Sequence, residues 1–146
     1  MLFYLDASVL VALMDDEPTR PLFDTFLMQD GATFVVSDFA VAETSAALTA
    51  LWRARRQSPA FSQAELERFD DWTNDFTDRV HIASLDTEEA IHHVRRSDIA
   101  LRAPDAIHIA ATYRLGATLL TLDRGMTRAA LALSVPCINP AEPSAN

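Results

Sequence analysis

The chain contains no lysine: all twelve of its basic residues are arginine, set against 21 acids. Without lysine there is no phosphate-loop ammonium and no Schiff-base nucleophile. The net charge of −9 excludes a protein that grips nucleic acid through a broad basic surface. A single cysteine, Cys137, rules out an internal disulfide and suits a reducing compartment. Glycine occurs only three times, and no Gly-rich phosphate loop is present. The longest unbroken apolar run, Val9 to Met14, is six residues, whereas about 20 are needed to span a bilayer. Asp6 interrupts the apolar start and no basic residue precedes it, so no signal peptide is expected. The expectation is a soluble, cytoplasmic chain.

What remains is ordinary globular material. The 146 residues, 49% hydrophobic and 23% charged, suit one domain that buries its own core. Short apolar runs at 2–5, 33–36, 80–83, 117–122 and 135–138 read as strands. Helices are expected over 8–14, from Pro18 onward, from a cap at Ser37 or Asp38 to Arg56, and over 62–78. Further helices run from a cap at Asp86 to Val94, from Pro104 to Leu115 with Gly116 as the stop, and over 127–133. In the helix over 62–78, Leu66, Phe69, Trp72 or Thr73, and Phe76 recur at helical spacing. Asp15-Asp16-Glu17 reads as a solvated turn. This alternation of short apolar strands with helices indicates an α/β fold: a central parallel sheet of four to five strands with helices on both faces.

Four acids stand in apolar surroundings: Asp6, Glu43, Asp105 and Asp123. Each has a plainer explanation. Asp6 can cap a helix, Asp105 can be a first-turn acid, Asp123 a turn residue and Glu43 an exposed helix residue. Their placement argues for more. Asp6 and Asp123 end strands, and Asp105 and Glu43 lie near helix starts. In a parallel α/β sheet these positions share one edge, where ligands bind. Carboxylates gathered there need a cation. Oxygen-only ligands select Mg²⁺, with Mn²⁺ also suitable, over zinc. Such a site suits metal-assisted phosphodiester chemistry, in which the cation activates a water and clamps the phosphate. Ser8 can support Asp6 or serve only as a helix-start hydroxyl. Asp105, His108 and Thr112 share a helix face, and His108 is either a support for the site or a hydrogen-bonded core residue.

Leu-Asp-Ala-Ser-Val-Leu, Val-Ala-Glu, Leu-Arg-Ala-Pro-Asp-Ala-Ile-His-Ile-Ala-Ala and Gly-Ala-Thr-Leu-Leu-Thr-Leu-Asp-Arg-Gly together resemble the PIN domain, in particular the VapC-type toxins of bacterial toxin–antitoxin pairs. The resemblance spans about the whole chain. It implies a Mg²⁺-dependent ribonuclease with Asp6, Glu43, Asp105 and Asp123 as catalytic and metal-binding acids. Some members carry a further acid where Gly125 stands here, so a second metal would lack that ligand. The resemblance also implies a homodimer, a small antitoxin that blocks the site, and a larger toxin–antitoxin assembly. Residues 1–140 would form the PIN-like nuclease domain and 141–146 a frayed tail.

Arg95, Arg96 and Arg102 precede the Asp105 motif and are candidate RNA-phosphate contacts; Arg53, Arg55 and Arg56 are weaker ones. Two rival readings remain. One is a catalytically weak PIN-fold module that binds RNA or antitoxin. The other is an aspartyl-nucleophile phosphatase, which Ser8 disfavours by standing where that chemistry wants a second acid.

Overall fold

The run Leu2-Phe3-Tyr4-Leu5 forms the first strand, β1 (Leu2–Leu5), and its side chains part to the two faces of a sheet. Phe3 and Leu5 enter one apolar cluster, Tyr4 the other. A strand covered on both faces is apolar throughout rather than alternating. The computed structural model describes residues 1–15 and 20–142. After β1 come α1 (Ala7–Met14), α2 (Arg20–Leu27), β2 (Thr33–Ser37), α3 (Asp38–Ala54) and α4 (Pro59–Phe76). Then follow β3 (Asp78–Val80), α5 (Ser84–Val94), α6 (Ala103–Leu115), β4 (Thr118–Leu120), α7 (Arg124–Ala132) and β5 (Cys137–Ile138).

The five strands form one sheet in the order β3-β2-β1-β4-β5, and every pairing is parallel. Phe3 lies opposite Phe34 and Thr118, and Tyr4 opposite Val35 and Leu119. The chain therefore winds outward from β1 to one edge and then crosses to β4 on the other side. The loops after β1 and β4 flank the resulting switch point, where doubly wound sheets open a crevice. One face is covered by Val9, Leu10, Leu13, Phe23, Leu48, Trp52 and Phe69, drawn from α1 to α4. The other is covered by Ile109, Ala111, Met126, Ala129 and Ala130, from α6 and α7.

Several boundaries differ from the sequence expectation, each for a local reason. The third strand is Asp78–Val80 rather than 80–83, because residues 78–80 pair with Val35, Val36 and Ser37. The segment beyond is held by a side chain instead: Asp38 accepts from the Ile82 amide at 3.1 Å and sits 3.0 Å from the His81 ring. Asp86 does not cap α5 but stands three residues inside it. There it accepts the Ala83 amide at 2.8 Å and takes two guanidinium nitrogens of Arg114 at 2.7 and 2.8 Å. In α4 Thr73, not Trp72, is the buried member of the pair. Phe76 lies exposed and stacks on Trp72. The last helix begins at Arg124 rather than 127, because Asp123 caps it through the Met126 amide at 2.8 Å.

Asp15 is no solvated turn residue: both its oxygens meet Arg55, at 2.7 and 3.0 Å. The expectations for Asp16, Glu17 and Pro18 fall outside the described residues. At the far end, the Ala141 and Glu142 amides donate to Asn139, and the rest of the tail is likewise outside them. Burial pushes the Cys137 thiol up to about 12, so it stays a protonated, weakly reactive group. Among the described residues no helix is long and apolar enough to cross a membrane.

Candidate functional site

Asp6 follows β1 directly and caps α1, accepting the Val9 amide at 3.1 Å. The same oxygen accepts the Ser8 hydroxyl at 2.7 Å, and the other accepts the Thr121 hydroxyl at 2.8 Å. Both hydroxyls also accept backbone amides from the loop after β4. Ser8 takes the Leu122 amide at 2.9 Å and Thr121 the Asp123 amide at 3.0 Å. This buried network ties the two loops of the switch point together. Burial raises the Asp6 carboxyl above its ordinary value, while Ser8, the nearby His108 ring, Thr121 and the Val9 amide oppose that shift.

Asp105 lies in the first turn of α6. Arg102, the residue before that helix, grips it in a fork at 2.9 and 3.2 Å. One nitrogen of the same guanidinium also reaches Asp123 at 3.3 Å. Hydrogen bonds to Asp105, then the fields of Asp105, Asp123 and Glu43, hold the Arg102 guanidinium above its ordinary range. The Arg102 side chain is 73% exposed, so it reaches this position from solvent, whereas that of Asp105 is only 10% exposed.

Glu43, in the second turn of α3, is held by a different partner. His108 Nε2 lies 2.6 Å from its Oε2. His108 Nδ1 lies 2.8 Å from the Tyr4 hydroxyl, which lies 2.6 Å from Ser37 Oγ. His108 is thus both a fully hydrogen-bonded core residue and a support for Glu43. Thr112, from the same helix face, turns back to the His108 carbonyl at 2.7 Å and takes no part.

The four acids therefore lie around the switch point on three organising groups: Arg102 for Asp105 and Asp123, His108 for Glu43, and the Ser8–Thr121 pair of hydroxyls for Asp6. They do not form a ready cage: among the described residues no three His, Cys, Asp or Glu side chains stand grouped to hold a metal ion. The donor set still fits a hard cation. It offers carboxylate oxygens alone, since both His108 nitrogens are already engaged. The group now joining Asp105 to Asp123 is an exposed side chain that can rotate away without moving backbone. A Cβ on Gly125 would stand 3.0 Å from Asp123 Oδ1, so an acid there would press on the carboxylate that caps α7.

The candidate phosphate contacts differ in state. Arg96 is forked onto Asp98 at 2.6 and 3.1 Å, and Arg95 is exposed at the end of α5. Sequence reasoning missed Tyr4, Thr121 and the Asp86–Arg114 pair. A threonine one step past a strand end, as in Leu-Leu-Thr-Leu-Asp, was the available signal for Thr121.

A PIN domain profile matches residues 3–131. The chain belongs to the PIN domain family. No curated protein sequence matches. Among solved structures, the fold is shared with VapBC-1 of nontypeable Haemophilus influenzae at a TM-score of 0.71 and 11% identity, over 97% of this chain and 100% of that one. VapBC2 of Rickettsia felis, solved bound to a DNA fragment from its promoter, gives 0.70 and 14%, over 95% and 98%. VapC20 of Mycobacterium tuberculosis, a sarcin–ricin loop cleaving toxin, gives 0.67 and 15%, over 87% and 94%. At these identities the likeness is one of fold. It covers most of this PIN domain.

Proposed function

We propose that this PIN domain protein is an endoribonuclease toxin, cleaving RNA phosphodiester bonds with water at a Mg²⁺ site that also accepts Mn²⁺, and neutralised by a small cognate antitoxin. The observation that carries the reading is the sharing of one cationic group, Arg102, by Asp105 and Asp123, with Glu43 in its field. Family membership and the shared fold with VapBC proteins support it.

Asp6, Glu43, Asp105 and Asp123 would hold the cation. When bound, it supplies charge neutralisation at the phosphodiester and activation of the attacking water. The chain's own residues supply the rest. Ser8, Thr121 and the Val9 amide fix the Asp6 carboxylate, and His108 fixes Glu43. Arg102 keeps Asp105 and Asp123 compensated in the metal-free protein. Once turned outward, its fork suits an RNA phosphate, with Arg95 and Arg96 on the same α5–α6 connection as further contacts. The reading places the toxin in the cytoplasm, as a homodimer within a larger toxin–antitoxin assembly. The acidic chain suits a basic inhibitor segment.

The test is cleavage of a panel of structured RNAs with Mg²⁺, with EDTA, and with the Asp105→Asn variant. Cutting is expected only in the first condition. Cutting that persists in EDTA or in the variant refutes the assignment.

A further inference from the structure

Asp105 and Asp123 have four carboxylate oxygens between them, and each is engaged. Asp123 Oδ1 accepts the Met126 amide at 2.8 Å and is committed to capping α7. Arg102 takes the other three. Its Nε lies 2.9 Å from Asp105 Oδ2, and its Nη2 bridges the pair, 3.2 Å from Asp105 Oδ1 and 3.3 Å from Asp123 Oδ2. One guanidinium thus covers every oxygen that these two acids could offer an ion without giving up the helix cap. Each oxygen keeps a second lone pair, but a cation seated there would press against the charge of the guanidinium.

Arg102 is free to leave. Its side chain is 73% exposed, against 10% for Asp105 and 34% for Asp123, so rotation of its stem takes it into solvent. Among the described residues it bonds to no acid but these two. Asp98, the next acid back along the chain, is already forked onto Arg96 at 2.6 and 3.1 Å. A displaced Arg102 suits one incoming group well, because a guanidinium grips phosphate with the same planar fork it uses on a carboxylate.

We propose that Arg102 couples cation binding to RNA binding: it occupies Asp105 and Asp123 until a divalent cation displaces it, and an RNA phosphate then holds it outward. The inference rests on the cation site and substrate proposed above, and adds how the two depend on each other. Such coupling is reciprocal. Whatever RNA adds to cation affinity by holding Arg102 out, the cation adds to RNA affinity by releasing it. Its size is set by the contact that must break. An exposed forked pair at the top of the surface range biases Arg102 inward by about fivefold, the equivalent of about 1 kcal/mol. Only the outward fraction is competent for either ligand.

The test follows Arg102 itself and the coupling it carries, in the full chain. The Arg102 Nε–H signal in ¹H–¹⁵N spectra is assigned by its loss in Arg102→Gln. In EDTA it sits at a carboxylate-bound position, and Mg²⁺ moves it to that of a solvent-exposed arginine. A short 2′-O-methyl RNA, which presents RNA phosphates but resists cleavage, moves it again. Binding of the same oligonucleotide is measured by fluorescence anisotropy in EDTA and in saturating Mg²⁺ at matched ionic strength. Mg²⁺ tightens binding in wild type and in Arg102→Gln alike, through its direct attraction for phosphate, but by about fivefold more in wild type. Arg96→Gln, on the same α5–α6 connection, keeps the full wild-type effect, which separates Arg102 from an ordinary phosphate contact. An Arg102 signal that stays in place while calorimetry shows Mg²⁺ binding overturns the inference. So does a released Arg102 that the oligonucleotide leaves unmoved, or an equal Mg²⁺ effect in wild type and Arg102→Gln. A wild type that takes up no Mg²⁺ by calorimetry overturns the cation site itself, and the coupling with it.

Discussion

Arg102→Gln is the substitution that most directly probes the charge balance of the site. It removes three hydrogen bonds, at 2.9, 3.2 and 3.3 Å, from two carboxylates. Two of them form the forked arrangement in which arginine binds a carboxylate best. The guanidinium is 73% exposed, so solvent screening keeps the whole contact near the top of the range for surface pairs, about 1 kcal/mol. For a chain of this length that corresponds to a melting temperature lower by about 2–4 °C. The assay is thermal unfolding followed by circular dichroism in EDTA at low salt, repeated at high salt, where the difference should shrink. Excess Mn²⁺ should then raise the melting temperature of the variant more than that of the wild type. In the variant no guanidinium has to leave Asp105 and Asp123 first, so binding is tighter and its stabilisation larger. A variant as stable as the wild type in EDTA, with an identical response to Mn²⁺, would refute the idea that Arg102 compensates these acids.

Three further outcomes are expected. Asp6 has its folded pKa raised by burial, so the stability tied to its protonated form is present below the unfolded value of 3.8 and fades as pH rises through the folded value. In EDTA, Asp6→Asn should therefore gain on the wild type as pH is raised above the unfolded value and through the higher folded one; melting curves with a constant offset between the two would contradict this. Thr121→Val strips a donor from Asp6 and an acceptor from the Asp123 amide, and should cost about 1–3 kcal/mol in urea unfolding. An unchanged midpoint would show that the network is dispensable. Asp86→Ala leaves Arg114 with only the His81 carbonyl and the Ala83 amide without its acceptor. With Arg114 partly open to solvent, the loss should be about 2–4 kcal/mol, below that of a fully buried pair, and metal affinity should not change.

The layout of strands and helices was legible because the central strands β1, β2 and β4 are largely apolar on both faces and most helices are amphipathic or capped. Leu2–Leu5 and Ala7–Met14 follow this closely. Boundaries moved where a long-range partner decided them. The third strand is short and polar, and only the free edge of β2 selects Asp78–Val80. Asp86 looked like a cap because nothing local announces Arg114, 28 residues on.

At the site, the sequence by itself determined which acids stand at strand ends and helix starts. A parallel sheet puts those positions on one edge, so their neighbourhood follows from topology alone. Which atoms hold them is a matter of tertiary structure. Ser8 touches Asp6 across two residues, but Thr121 comes from 115 residues away and Tyr4 meets His108 across 104. Such partners leave no local spacing to read, because their closeness depends on strand order and helix packing. The same holds for charge. The sequence supplied an excess of acids and only arginine to balance them, and the fold chose Arg102 for two of those acids and Arg114 for a third, buried away from the site.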